Sequence, residues 1–448
     1  MKILSLIFLL SLMACSSEKA EEYDLIITNV NLIDGTGSEI RKGVNVYIKE
    51  NTIESINSDR VEQKRNTIDG SNKYLIPGLF DSHVHISNYQ DEFPKLIHFG
   101  VTSIFVPGGK IATNDYYSQM RDLSSQDSIP APRIYYTSQI FTVEGKHPSY
   151  ANSSGVWRNG ENIYFISDTV QIEQLVKEVN LEPIQGIKLV IEDGVQPPFS
   201  ERIEQNIINK INDEALKNET RVFAHISDNV ELKMALDAGI SNFVHFTGVD
   251  IDSLRDKRLL EQIREMNVSW VTTLMLDKSM IYPNHPEWVS SELLEIYDPE
   301  NFKNLTNLLF KARAAESIQY YKDNYSFENP TLKEIIKFQV DDMKMLIEIG
   351  VNMVSGTDSG NPFILPGYSI HEEMQLLELG GMDRMKIIEM TTRNAAKMLN
   401  ISDKLGTIEV GKLADFLLLN KNPLESISNT LSIHSVYKNG KKQTRITN

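Results

Sequence analysis

The chain has 448 residues, 45 of them basic and 61 acidic, for a formal net charge of −16. Its 41% hydrophobic and 24% charged residues are those of a globular chain and exclude wholesale disorder, and the acidic balance argues against a nucleic-acid surface, which needs a basic patch. No apolar run approaches the roughly 18 residues of a membrane span, and the single cysteine excludes an internal disulfide and a cysteine-rich metal site.

The N-terminus has a signal-peptide pattern. Lys2 precedes the apolar run ILSLIFLLSLMA, residues 3–14, and small residues close it before the polar SSEKAEE. The quartet Leu12-Met13-Ala14-Cys15 resembles a bacterial lipobox. That resemblance implies removal of residues 1–14, lipid on Cys15, a lipidated linker over 15–22, and a chain anchored in the bacterial cell envelope by that lipid alone, facing the periplasm or the cell surface.

Residues 23–77 read as short strands with a turn at DGTG, and residues 405–448 read the same way, with a turn at Asn439-Gly440. The two chain ends are therefore expected to build one small β-sandwich. Between them, residues 78–404 alternate strand and helix. Eight apolar runs stand out: Tyr74–Leu79, which straddles the boundary, Val101–Val106, Arg133–Phe141, Gly186–Ile191, Arg221–Ile226, Asn242–Phe246, Val268–Leu274 and Val351–Ser355. Helical patterns such as SERIEQNIINKINDEALKNE and LKEIIKFQVDDMKMLIEIG separate most of them. The expected fold is α/β, a (β/α)8 TIM-type barrel plus the sandwich. No GxGxxG or GxxxxGK[ST] follows a strand, so the nucleotide-binding doubly wound forms lack their phosphate cradle. Residues 142–168 and 276–330 are longer than a barrel needs. They would rise from the face that carries active sites, as substrate walls or lids.

Polar residues that interrupt apolar strands carry the chemistry. His83-Val84-His85 follows the first run, and alternation along an extended chain puts both imidazoles on one side, as a divalent metal site requires. Lys188 sits inside GIKLVIED, where burial would depress its pKa and leave a reactive neutral amine able to add carbon dioxide. His225 lies in RVFAHIS, His245 in SNFVHFTG, and Asp358 closes the last strand in SGTDSG. Each alone reads as a core histidine, a paired lysine or a turn-capping aspartate. Together they supply, on five strands, the ligand types of a two-metal site.

At this point the sequence resembles the amidohydrolase superfamily, over nearly the whole mature chain. The resemblance is carried by IPGLFDSHVH, by ALDAGISNFVHF, by TTRNAAKMLNISDKLGTIEVGKLADFLLL and by the return strand Val436-Tyr437-Lys438-Asn439-Gly440. Within the superfamily it looks most like the branch of imidazolonepropionase-like proteins and carboxylated-lysine Xaa-Pro dipeptidases. The resemblance implies that His83, His85 and Asp358 hold one metal, that His225 and His245 hold a second, and that carboxylated Lys188 bridges both. Zinc suits such ligands. It implies hydrolysis of C–N bonds in amides by a metal-bridging hydroxide, with Asp358 as the base. The expected substrates are small peptides of the Xaa-Pro type or N-acyl amino acids. A cyclic amide or amidine ring hydrolase is the alternative reaction, and a non-catalytic, ligand-binding lipoprotein is the alternative from another class. His147, in VEGKHPSY, and Tyr150 are candidate substrate contacts, and Lys146 and Arg158 are candidate grips for a substrate carboxylate. His371 is expected to be structural, at the start of a helix capped by Ser369. His98, His285 and His434 read as surface or loop residues.

Overall fold

The computed structural model describes residues 23–446 apart from 62, 64, 127–128, 150–154, 195–199, 247–256 and 326–330, and omits the side chains of 277, 291, 321, 324 and 325. The signal peptide, Cys15 and Tyr150 therefore lie outside the described residues.

Both chain ends enter one sheet. Its strands are β1 (Leu25–Leu32), β2 (Arg41–Lys49), β3 (Thr52–Asn57), β4 (Thr67–Asp69) and β5 (Tyr74–Pro77) from the N-terminal side. Ten further strands run through the middle: β6 (Leu79–Asp81), β7 (Val101–Val106), β8 (Arg133–Tyr136), β9 (Ile140–Thr142), β10 (Ile163–Phe165), β11 (Ile187–Val190), β12 (Val222–His225), β13 (Asn242–Val244), β14 (Ser269–Val271) and β15 (Asn352–Val354). The C-terminal side returns with β16 (Phe416–Leu419), β17 (Ile433–Lys438) and β18 (Lys441–Lys442). The terminal sheet runs β18-β17-β16-β5-β1-β2-β3, with β4 paired to β1. Alternating residues Leu25, Ile27, Val44, Val46, Ile48, Leu75, Phe416 and Leu418 face a core of their own. The turn between β17 and β18 has Asn439 and Gly440 both at positive φ, 55° and 69°, the type I′ geometry that Asn-Gly favours.

The middle strands form two parallel sheets, β6-β7-β8 and β10-β9-β11-β12-β13-β14-β15. They meet at both edges. The expected strand Arg133–Phe141 bends at Thr137–Gln139, and there Thr137 N–H donates to Val106 O (3.1 Å) while Ser138 N–H donates to Gly186 O (2.9 Å). At the other edge Ser82 N–H donates to Ser355 O (3.2 Å) and Asp358 N–H to His83 O (2.8 Å). A helix follows most strands, including Gln205–Lys217, Asn229–Asp237 and Leu332–Glu348.

Two expectations need correction. Tyr74–Leu79 is not one strand. Tyr74–Pro77 pairs with β16 in the terminal sheet, and the first parallel strand is Leu79–Asp81. The break falls at Gly78, where a Cβ would lie 2.1 Å from Thr102 Oγ1, so the chain can pass there only without a side chain. The segment 142–168 is also not all loop, because β10 pairs in parallel with β9. Residues 275–325 carry the helices Met275–Ile281, Ser291–Tyr297, Pro299–Asn304 and Leu308–Tyr325.

The terminal sheet is fastened to the parallel one by polar side chains. Arg133 of β8 holds the Asp415 carboxylate through two nitrogens (2.7 and 3.1 Å), the bidentate geometry that guanidinium favours. Buried Lys438 donates to Ser124 O (2.7 Å) and Ala131 O (2.8 Å).

Candidate active site

His83, His85, His225, His245 and Asp358 lie at or just past the C-terminal ends of their strands, and Lys188 lies inside β11. His83 and His85 follow β6, with Val84 between them turned into the core and fully buried. This segment zips onto the one after β15: Val84 and Ser359 form a parallel bridge, and His85 N–H donates to Ser359 O (2.7 Å). Asp81, buried beneath, accepts from Thr357 N (3.0 Å) and Thr357 Oγ1 (2.7 Å). These bonds set Asp358 in left-handed backbone, φ 61°, a strained state for a non-glycine residue that persists only where its surroundings impose it. His245, just past β13, sits at φ 71°, and its carbonyl accepts from Trp270 Nε1 (2.7 Å).

The side chains converge on Asp358. Its Oδ1 lies 3.1 Å from His85 Nε2 and 3.5 Å from His83 Nε2, and its Oδ2 lies 3.9 Å from His245 Nδ1. The His83 and His245 rings are 4.5 Å apart between centroids, and the His245 and His225 rings 4.1 Å. Gly108 O lies 2.9 Å from His85 Nδ1, and the tautomer with its proton on Nδ1 would turn an Nε2 lone pair to the site. Thr273 Oγ1 lies 3.0 Å from His245 Nδ1.

A second group stands beside the first. Glu192, two residues past β11, is buried with its Oε2 against His225 Nε2 and 3.5 Å from His147 Nε2. His147, His225 and Glu192 can each offer a ligand atom within 4.8 Å of the others, and so can His83, His245 and Asp358. Glu192 is the residue that sequence reading missed. The signal was alternation: Lys188, Val190 and Glu192 share one face of an extended chain.

Electrostatics set the resting charge state. Burial, then the charges of neighbouring imidazoles and Lys188, holds His83 and His245 well below the ordinary imidazole range. Burial, then Lys188, does the same for His225, so their rings are neutral and have lone pairs available. Burial pushes the Lys188 amine down to about 7 against the opposing pull of Asp358 and Glu192. Burial would raise Asp358, but His85, then His245 and Lys188, outweigh it and hold the carboxyl below its usual range.

The donor set fits divalent metal. His83 Nδ1 and Nε2, Lys188 Nζ, Glu192 Oε2 and Asp358 Oδ1 are buried and make no hydrogen bond among the described residues. Buried polar atoms are nearly always satisfied, and these five, gathered where the two parallel sheets meet and all of metal-ligating types or able to become so, are explained together by cations.

The other candidates are placed elsewhere or differently. Lys146 donates to Arg202 O (2.6 Å), and Arg158 pairs with Glu161 (2.7 Å), so the ammonium and the guanidinium are both engaged away from the site. His371 is structural as expected, holding Phe99 O and Thr430 Oγ1 through its two nitrogens (2.7 and 2.8 Å). Ser369 is the first residue of that helix rather than its cap, and its hydroxyl donates to Glu372 (2.9 Å). His98 ends the helix Tyr89–His98, half-buried against Phe99, rather than lying on a loop.

Residues 74–442 match the model of the amidohydrolase family. The chain belongs to the amidohydrolase family. It is an amidohydrolase-type hydrolase of small molecules, a family that generally uses divalent metals. It is 22% identical over 422 residues to a 5-methylthioadenosine/S-adenosylhomocysteine deaminase of Caldanaerobacter subterraneus subsp. tengcongensis, covering 89% of this chain and 85% of that one. Among solved structures it is similar to a Xaa-Pro dipeptidase with bound methionine (TM-score 0.68, 20% identity, 93% of this chain and 99% of that one). It is also similar to the ochratoxinase of A. niger (TM-score 0.67, 20% identity, 95% of this chain and 96% of that one). At these identities the structural likeness is one of fold.

Proposed function

We infer that this amidohydrolase is a two-metal hydrolase that cleaves the C–N bond of small peptides, with Xaa-Pro dipeptides and N-acyl amino acids as its substrate class. The observation that carries the reading is the set of buried, unbonded ligand atoms gathered round Asp358. His83, His85 and Asp358 would hold one ion, and His225 and His245 the other. Lys188 would span both once carboxylated, and its amine, depressed to about 7, is partly neutral at physiological pH and able to take up carbon dioxide. When bound, zinc or a similar divalent ion supplies a Lewis acid and an acidified water.

The protein's own part is proton handling and enclosure. Asp358, kept ionised by His85 and His245, accepts the proton of the attacking water and returns it to the leaving nitrogen. An amide nitrogen leaves poorly without that proton. Phe80, Phe105, Phe223, Val244, Val271 and Val354 pack into one buried cluster on the strands that carry the site, which would keep bulk water from competing for the proton.

The architecture supports this reading. The bonds at both edges of the two parallel sheets support our reading of residues 78–404 as one closed (β/α)8 barrel. The terminal sheet with its separate core supports the reading of 23–77 and 405–448 as one small β-sandwich domain. We also propose that the mature chain starts at Cys15 and is held to a bacterial envelope membrane by lipid there. Metabolic labelling with a radioactive fatty acid, absent from Cys15→Ser, checks that.

The deaminase relative supports a second reaction on the same site, hydrolysis of a cyclic amidine with release of ammonia. One experiment separates the two. Zinc-loaded protein in bicarbonate is offered pooled dipeptides, N-acyl amino acids and aminopurine nucleosides, and amino-acid and ammonia release are followed. Amino-acid release that Asp358→Asn abolishes supports the peptidase reading. Ammonia alone moves the assignment to the amidine. Neither, from protein holding two ions per chain, overturns both.

A further inference from the structure

We propose that Glu192 is a direct ligand of the second cation, with His147 and His225, so that this position fills without the Lys188 carbamate. The proposal rests on the two-metal reading above and changes what builds its second half.

Three observations carry it. First, Glu192 is in the wrong place for an ordinary acid. Its side chain is 1% exposed; Ser227 hydrogen-bonds the carboxyl, and Oε2 faces two imidazole nitrogens, His225 Nε2 in contact and His147 Nε2 at 3.5 Å. A buried carboxylate is costly unless its charge is matched, and a divalent ion among the three would match that charge and take one nitrogen from each imidazole. Two imidazoles and a carboxylate suit zinc, iron, cobalt or manganese.

Second, the group is braced. Ile191 N–H donates to His225 O (3.1 Å) and Asp193 N–H to Glu231 Oε1 (3.1 Å), so both neighbours of Glu192 are tied to β12 or the helix after it. Arg202 gathers Asp193 (2.9 Å), Glu231 (3.1 Å) and Asp228 round one guanidinium. Thr142 Oγ1 donates to His147 O (2.8 Å), which anchors the long loop where it brings His147 over the site. Ligands held by such outer contacts are aimed before the ion arrives.

Third, the ligands divide evenly. His83, His245 and Asp358 form one three-ligand group and His147, Glu192 and His225 the other. Each group can hold an ion by itself, which frees His147 from a substrate-contact role and Lys188 from an obligatory bridging one.

The test is metal stoichiometry. Zinc bound per chain is measured by mass spectrometry of the metal after gel filtration, with zinc affinity by competition against a chromophoric chelator. Wild type and Lys188→Met are compared in bicarbonate and in carbon-dioxide-depleted buffer, beside Glu192→Gln and His147→Asn. Circular dichroism melts show that each variant folds. Wild type and Lys188→Met are expected to hold two zinc ions whether or not bicarbonate is present. Glu192→Gln should hold one. His147→Asn should bind its second ion more weakly by at least the roughly 10–100-fold that loss of even an outer partner costs. Two tightly held ions in Glu192→Gln, or a second ion in wild type that leaves with bicarbonate, would overturn this proposal and leave the two-metal reading intact. Wild type that binds no zinc would overturn both.

Discussion

The protein buries titratable side chains in two neighbouring places and treats them in opposite ways. On the helix Ser369–Leu379, Glu373 accepts from Leu274 N (3.0 Å), Met275 N (2.9 Å) and Thr272 Oγ1. Glu372 accepts from Lys278 (3.1 Å), Tyr282 (3.3 Å) and Ser369 (2.9 Å), and His371 uses both ring nitrogens. At the strand ends, His83, Lys188, Glu192 and Asp358 are as deeply buried but present atoms with no hydrogen-bond partner among the described residues. Burial alone does not mark a site, since both clusters have it. A site differs in leaving donors and acceptors open for something that is not protein. Substitutions in the helix cluster should therefore cost stability, and those at the strand ends should cost turnover.

The largest effect is expected at Asp358. Asp358→Asn keeps the shape and removes the proton acceptor, so hydrolysis should fall about 10²–10⁴-fold, measured as initial rate on the best substrate of the pool. Its melting temperature should stay near wild type. A rate within threefold of wild type would remove Asp358 from the chemistry. Glu373→Ala should do the reverse. It strands two backbone N–H groups and the Thr272 hydroxyl in the core, at about 1–3 kcal/mol each, for a total on the order of 4 kcal/mol in urea unfolding. The fraction that remains folded should turn over normally. Lost turnover with unchanged unfolding would place Glu373 in the site instead.

A third contrast is in pH. His371 is buried and neutral, with burial outweighing its bond to Phe99 O and holding its pKa to about 4. The unfolded chain takes up that proton near 6.5. Its contribution is therefore complete above pH 6.5 and is lost as pH falls toward 4, to the extent of about 3 kcal/mol. In His371→Asn, the difference in unfolding free energy between pH 7 and pH 4.5 should shrink by roughly 2–3 kcal/mol. An unchanged difference would show that other groups carry the acid sensitivity.

How much of this was legible in the sequence follows the same division. Lys188, His225 and His245 stood out because a polar residue inside an apolar strand breaks a pattern, and His83 and His85 because they alternate. Glu192 escaped because it lies past the strand, in IEDG, where acids are ordinary. Only its spacing from Lys188 placed it on the inner face. Glu373 was hidden in the helical run SIHEEMQLLEL, where an acid usually points to water, and only tertiary packing turns it inward. The split of Tyr74–Leu79 at Gly78 was equally out of reach, because the clash that requires glycine comes from Thr102 on another strand. The strand β10 was concealed by a loop composition rich in Gly, Asn and Ser.

The smallest expected effect is the one that most sharpens the contrast. Lys188 is 2% exposed, and its amine makes no hydrogen bond among the described residues. A lysine held that way contributes packing through its stem but pays desolvation at its amine, with only the more distant charges of Asp358 and Glu192 in return. Methionine keeps the stem and drops the charge. Lys188→Met should therefore melt at or slightly above the wild-type temperature in metal-free protein, with a change in unfolding free energy within about 1 kcal/mol, while its hydrolysis rate falls. A loss of several kcal/mol would mean that the ammonium is an integral part of the fold, balancing the two carboxylates, and that Lys188 belongs with the satisfied cluster on the helix rather than with the open one.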